Sequence, residues 1–335
     1  MQRYDPAGVS NISSLMTALR DGAFGARGLG EAADVAEEMF FSDTFVVLTI
    51  TGAMTMAGLS LLIVEMIDRG WVNAIVSTGA LVGHGLTEDL GLKHYKTDWK
   101  ISDETYYENR LNRVYDVIEP EDNLDALEAE ISSLLPRFFE FLSKKSQKGE
   151  SPAVGKDQTI GFSTAQLLRY MGEYLPGVGV LQSAAEHDVP VYIPAFTDSE
   201  LGLDVECYNM TQGYTSGFIY DGFSDLRDYA KRCVGAKLAG RDMGIFTIGG
   251  GVPRNWAQQV APFVDVSNQR IGKHQPVPRF KYGVRICPDP VHYGHLSGCT
   301  YSEGVSWGKF IPASEGGRFA EVLMDATIAW PLIIQ

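Results

Sequence analysis

Phe45-Val-Val-Leu-Thr-Ile-Thr51 is an unbroken, charge-free apolar run that stops at Gly52. A strand with one face in water alternates polar and apolar residues. A continuous run is instead typical of a strand covered on both faces, as in a parallel sheet between helical layers. Downstream, an apolar helix over about 55–69 closes at Gly70, and Val72 to Ser77 reads as a second strand. Gly79-Ala-Leu-Val-Gly-His-Gly85 then reads as a glycine-rich turn into the next helix. Leu124, Leu127, Ile131, Leu134 and Leu135 mark a longer helix, which Pro136 is expected to kink. Val189 to Ala195, Gly244 to Ile248 and Lys281 to Ile286 are further strands, each followed by a helical stretch. Upstream, Ile12, Leu15, Met16 and Leu19 have amphipathic helical spacing behind a cap at Ser10 or Asn11. A loop at Gly25, Gly28 and Gly30 separates this helix from one carrying Ala32, Val35, Ala36, Met39 and Phe40. Strands alternating with helices predict an α/β fold, a mostly parallel sheet with helices on both faces.

Composition narrows the function classes. The chain has 335 residues, 28 Lys+Arg against 42 Asp+Glu, and a formal charge of −14. That length allows two domains or one large α/β domain. The acidic balance argues against nucleic acid, whose phosphates must be neutralised by Lys and Arg. It suits a cationic substrate, and equally it suits plain solubility. No apolar run reaches the ~18–20 residues of a membrane helix, and Met1 to Ser10 lacks the charged-then-apolar pattern of a secretory signal. Cys207, Cys233, Cys287 and Cys299 show no CxxC spacing, which points to reduced thiols in the cytoplasm and to no zinc or redox pair. Ser143 to Gln158, rich in Lys, Ser, Gly and Pro, is expected to be a mobile surface loop or linker.

Ligands of parallel α/β sheets sit beyond the C-terminal strand ends. Here those ends are Thr51-Gly-Ala, Ser77-Thr-Gly-Ala, Phe196-Thr-Asp198 and Gly249-Gly-Gly-Val-Pro253, each small or glycine-rich. Gly249-Gly250-Gly251 precedes Pro253, a favoured residue in a first helical turn, and the free N–H groups there attract phosphate. Triple glycine also makes ordinary tight turns, so nucleotide binding and a plain turn both stand. Asp325-Ala326 could supply a ribose carboxylate. Gly304-Val-Ser306-Trp-Gly308 matches the GxSxG elbow of serine hydrolases, but His295, the last histidine, precedes the serine and no strand feeds the turn. Ser306-Trp-Gly-Lys309 is an SxxK without its companion SDN and KTG motifs. Lys309, in a mainly apolar stretch beside Trp307, is either a snorkelling surface lysine or an amine whose pKa desolvation lowers for imine chemistry. His292-Tyr-Gly-His295 lies in a Pro-flanked loop with no third ligand, so no metal is expected.

Glu303-Gly-Val-Ser-Trp-Gly-Lys309 resembles the signature of the deoxyhypusine synthase family, whose catalytic lysine closes a near-identical string. Ser77-Thr-Gly-Ala80, Asn112-Arg-Val-Tyr115 with Pro120-Glu121, Pro194-Ala-Phe-Thr-Asp198, Gly249-Gly-Gly-Val252 and Asp325-Ala-Thr with Trp330-Pro331-Leu agree, in the same order. The resemblance covers nearly the whole chain and implies a single Rossmann-like, doubly wound domain over residues 1–335 and a homotetramer of tight dimers. It also implies NAD and a redox-neutral transfer of an aminobutyl-type group in polyamine metabolism. By the same resemblance, Lys309 carries a covalent imine (a Schiff base), and Glu303 and Trp307 hold the aminoalkyl chain. Thr78, Gly79, Ala80, Asp198, Gly250, Gly251, Asp325 and Ala326 match its dinucleotide positions.

The departures concern the substrate. Where protein-modifying members carry an acidic pair, this chain has Gly83-His84. Leu203 replaces a spermidine-binding aspartate, with Asp204 adjacent; Asn255 replaces a histidine, and Leu296 a second aspartate. Buried ammonium groups need such carboxylates. The pattern resembles the deoxyhypusine synthase-like branch and homospermidine-forming relatives, acting on small amines with His84, Asn255, Asp204, Glu303 and Trp307 in contact. The alternatives are a true deoxyhypusine synthase modifying a protein lysine, and an NAD-dependent amine oxidoreductase.

Overall fold

The computed structural model describes residues 3–147, 159–213 and 217–335. The chain forms two compact units. The first comprises Met1–Gly52, Met66–Ser77 and Leu226–Gln335; the second comprises Ala53–Glu65 and Thr78–Asp225.

Five strands of the main sheet belong to the first unit. In spatial order they are Arg318–Val322, Tyr282–Ile286, Asp242–Ile248, Thr44–Ile50 and Ala74–Ser77, every neighbouring pair parallel. Thr44–Ile50 is buried along its whole length, as its continuous apolar run requires. From this strand the chain first adds Ala74–Ser77 on one side, and later returns to lay Asp242–Ile248 on the other. The topological switch point therefore lies between Thr44–Ile50 and Asp242–Ile248. Their register pairs Ile50 with Ile248, and Thr49 Oγ1 donates to Thr247 Oγ1 at 2.9 Å across the ladder. The helix Phe24–Phe41 packs so closely that a Cβ at Gly244 would come within 2.6 Å of the Met39 sulfur. Asn11 caps the helix Ile12–Arg20 through a capping box with Ser14. The glycines at 25, 28 and 30 do not form the expected loop: the second helix starts at Phe24 and runs through them. Its inner face explains this, because Gly30 lies against the backbone of Arg20, 2.5 Å from where a Cβ would stand. The edge strand Arg318–Val322 was not anticipated, since its Arg and Glu break the apolar pattern.

The second unit holds the helices Ser60–Asp68 (in part), Gly79–Asp89, Glu121–Gln147, Thr164–Tyr174 and Glu200–Thr211. Gly79 is already helical, so the expected glycine-rich turn is the first turn of a helix. Glu121–Gln147 continues through Pro136 and takes in the start of the Ser143–Gln158 stretch; residues 148–158 lie outside the described residues. A small antiparallel sheet orders Tyr95–Lys96, Val117–Pro120 and Leu111–Val114, with Val117–Pro120 in the middle. Buried Asp225 fixes the start of Thr164–Tyr174, accepting from the Thr164 amide (2.9 Å), the Thr164 hydroxyl (2.8 Å) and the Ala165 amide (3.1 Å). Among the described residues, no helix is long and apolar enough to cross a membrane.

Candidate active site

The segment from Glu303 to Lys309 has a physical reading position by position. Tyr301–Ser306 is a short helix whose start is capped by Thr300, which accepts from the Glu303 amide at 3.1 Å. It ends in a Schellman motif: the Gly308 amide donates to Val305 O (3.0 Å) and the Lys309 amide to Gly304 O (3.0 Å). Gly308 takes the left-handed position with φ +68°, where a side chain is strained. Gly304 leaves room for the Phe310 ring, which a Cβ would meet at 2.5 Å. Beyond the turn, Phe280 receives the chain, its amide donating to Lys309 O at 2.9 Å. The turn sends Lys309 inward, 5% exposed, and leaves Trp307 66% exposed. Ser306 donates to Glu303 O at 2.6 Å from the end of this helix, so the GxSxG string forms no nucleophile elbow.

Lys309 Nζ lies 3.1 Å from Asn255 Oδ1. Burial lowers its pKa below the usual lysine range, and the Arg254 guanidinium pushes the same way against Cys299 and Glu303. Arg254 is itself 2% exposed, donates to Cys299 O at 2.6 Å and stacks over the Tyr301 ring. Lys309, Asn255 and Glu303 are thus brought together as the sequence suggested, and Arg254 and Cys299 are neighbours that it did not single out. The result is an amine shielded from water and discouraged from protonation by its burial, in the same short segment as an exposed indole and an exposed carboxylate.

Gly249-Gly250-Gly251 stands at the switch point. Thr51, at the end of the neighbouring strand, accepts from the Gly250 amide at 3.1 Å and donates to Ile248 O at 3.1 Å. Gly249 and Gly251 have φ of +79° and +60°. A Cβ at Gly249 would overlap Thr51, and one at Gly250 would lie 2.6 Å from Ser297 Cα. The helix Gly251–Gln258 starts here with no side-chain cap, so its first amides are available to an anion. Asp325 and Ala326 follow the edge strand. Asp325 caps the helix Ala326–Ile334, its Oδ1 accepting from the amide and the hydroxyl of Thr327, both at 2.7 Å.

In the second unit, Thr78, Gly79 and Ala80 begin the helix Gly79–Asp89, and Gly79 packs on Ser199, 2.1 Å from where its Cβ would stand. Exposed Asp198 immediately precedes Ser199, so these two loops come together. Asp204 is half-buried on the helix Glu200–Thr211, with Oδ2 lacking a hydrogen-bond partner. Burial, then Glu200 and Glu128, push its pKa up to about 7. Leu203 beside it is exposed, as is Leu296 in the first unit. His84 Nδ1 abuts Glu119 Oε2, and Glu119 is 1% exposed. The sequence reading passed over Glu119 and His94, which lies 3.3 Å away. A lone carboxylate inside Val117–Pro120, a strand otherwise apolar, was the available signal.

A family model described as deoxyhypusine synthase matches residues 14–335. "Probable deoxyhypusine synthase 1" of Archaeoglobus fulgidus is 31% identical over 323 residues, covering 96% of this chain and 92% of the relative. A "Deoxyhypusine synthase-like protein" of Chlorobaculum parvum is 30% identical, covering 96% and 85%. The crystal structure of a candidate deoxyhypusine synthase from Entamoeba histolytica shares the fold, with a TM-score of 0.61 at 15% identity over 100% of this chain and 95% of that one. These likenesses agree with the Rossmann-like α/β architecture. The chain belongs to the deoxyhypusine synthase family, whose members are transferases of aminobutyl groups, and is an enzyme of that class.

Proposed function

We propose that the protein is an NAD-dependent aminoalkyl transferase acting on small polyamines or related amines, redox-neutral overall, with Lys309 as its imine-forming residue. One observation carries the reading: Lys309 is buried, its pKa is lowered by that burial, and its Nζ donates to Asn255 Oδ1 at 3.1 Å. A neutral lysine is a nucleophile towards an oxidised amine, and water exclusion protects the adduct. The Lys309 nitrogen adds to the electrophilic carbon as a diamine departs. The acceptor amine then displaces Lys309, which regains its free amine. NAD, where bound, would supply the hydride acceptor and donor that keep the transfer redox-neutral. Gly250 and Gly251, with the uncapped helix behind them, suit its diphosphate, and Thr78, Gly79, Ala80, Asp198, Asp325 and Ala326 are the residues assigned to the rest of it. Asp325 can hold a ribose hydroxyl only with the oxygen that does not cap its helix.

Glu303, the Trp307 face, His84, Asn255 and Asp204 are assigned to the amine. Asp204 is a half-buried carboxyl group whose Oδ2 has no hydrogen-bond partner among the described residues, a suitable seat for an ammonium group. With leucine at 203 and 296, spermidine in the pose of protein-modifying members lacks two carboxylates, which favours a small-amine acceptor over a protein lysine. A homotetramer in the cytoplasm, built as a dimer of dimers, completes the reading. The test is mass spectrometry of products after incubation with NAD and a panel of polyamines that includes agmatine. Release of a diamine without net NADH is expected. Stoichiometric NADH would favour an amine oxidoreductase, and labelling of a protein lysine would favour a true deoxyhypusine synthase.

A further inference from the structure

We propose that the second unit binds a divalent transition-metal ion, zinc by the character of its donors, between His84, His94 and Glu119. The three side chains come from separate elements: the helix Gly79–Asp89, the segment after it, and the central strand Val117–Pro120. One donor atom from each lies within 4.8 Å of the others. Glu119 Oε2 abuts His84 Nδ1, and Glu119 Oε1 lies 3.3 Å from His94 Nε2. Among the described residues, no lysine or arginine pairs with Glu119, which is 1% exposed. A carboxylate that deep requires a cation beside it.

The meeting of His84 with Glu119 makes the case for a metal. His84 Nδ1 and Glu119 Oε2 are buried against one another, and neither makes a hydrogen bond. His94 Nδ1, on the other side of its ring, faces Glu88 Oε1 at 3.7 Å, and Glu88 Oε2 accepts from Ser60 at 2.6 Å. An ion among the three side chains gives His84 Nδ1 and Glu119 Oε2 a partner, and places Glu88 behind His94 as an outer carboxylate. Two imidazoles and a carboxylate suit zinc, and two carboxylates with two neutral imidazoles carry the charge a divalent ion balances. Three protein ligands leave a position open for water or an amine nitrogen. This inference rests on the second unit alone and gives His84 to the ion, so that residue would reach an amine only through the ion's open position.

The test uses the whole chain, stripped with a chelator and titrated with Co2+ and Zn2+. One ion per chain, a visible cobalt spectrum that zinc abolishes, and a raised melting temperature with zinc are expected. His84→Ala and His94→Ala should each weaken binding at least a hundredfold, and Glu88→Gln about tenfold, in line with losses seen for outer-shell partners. His84 is the most exposed of the trio, so its variant keeps the test readable if Glu119→Gln fails to fold. Failure to bind either ion, or binding unchanged in His84→Ala and His94→Ala, would overturn the site and leave a protonated His94 as the cation. Binding lost only in His295→Ala would place the ion on the surface loop and overturn it equally.

Discussion

Lys309 and Asp204 are opposite cases of one principle, that burial disfavours whichever protonation state carries charge. Burial pushes Lys309 towards a free amine and Asp204 towards a neutral acid. Lys309 could be singled out in the sequence because it closes a seven-residue string; the Asp204 environment could not, because Glu200 and Glu128 approach it only in the folded chain. The raised Asp204 pKa gives a stability prediction. Its folded value is about 7 against 3.8 for the free side chain, so its contribution is fully present below 3.8 and is lost as pH rises through 7. Asp204→Asn, which cannot ionise, should therefore melt at a higher temperature than wild type at pH 8. That advantage should shrink steadily as the pH is lowered through the interval towards 4. Melting curves at several pH values, without amine, check this; an equal or lower melting temperature at pH 8 would refute the assignment. With amine present the order should reverse, since an ammonium group at Asp204 favours the carboxylate.

The parallel strands were legible as elements because full burial leaves a continuous apolar run, seen in Thr44–Ile50 and Asp242–Ile248. The glycines of 25–30 and 79–85 were harder, because one residue type serves as loop former and as close-packing surface. In both stretches the helix continues, and at Gly30 and Gly79 the missing Cβ admits Arg20 and Ser199. That His84, His94 and Glu119 would meet was not legible for a related reason: they are scattered along the chain, and only folding brings Glu119 to the helix. Gly308 is the glycine whose conformation matters most to Lys309. At φ +68° an alanine costs about 1–2 kcal/mol, and any relief of that strain unwinds the Schellman turn that aims Lys309 inward. Gly308→Ala should fold with a modestly lower melting temperature and lose transfer activity by tenfold or more. Full activity in that variant would show that the turn does not set the lysine's position.

At the scale of the chain, the sheet is organised around the boundary between Thr44–Ile50 and Asp242–Ile248, and the glycine run stands at its end. A dinucleotide bound there stabilises only the folded state, so NAD at millimolar concentration should raise the melting temperature by several degrees, increasing with the logarithm of its concentration. No shift would remove the cofactor from the account. The acidic charge of −14 and the half-buried Asp204, crowded by Glu200 and Glu128, agree with a cationic substrate. The covalent imine proposed on Lys309 can be caught directly. Protein incubated with NAD and a polyamine, reduced with borohydride and digested, should carry an aminoalkyl mass increase on the peptide containing Lys309. The increase should be absent without NAD and absent in Lys309→Arg, whose guanidinium stays protonated and forms no imine. Turnover of the amine with no adduct on Lys309, or an adduct on another lysine, would contradict the account.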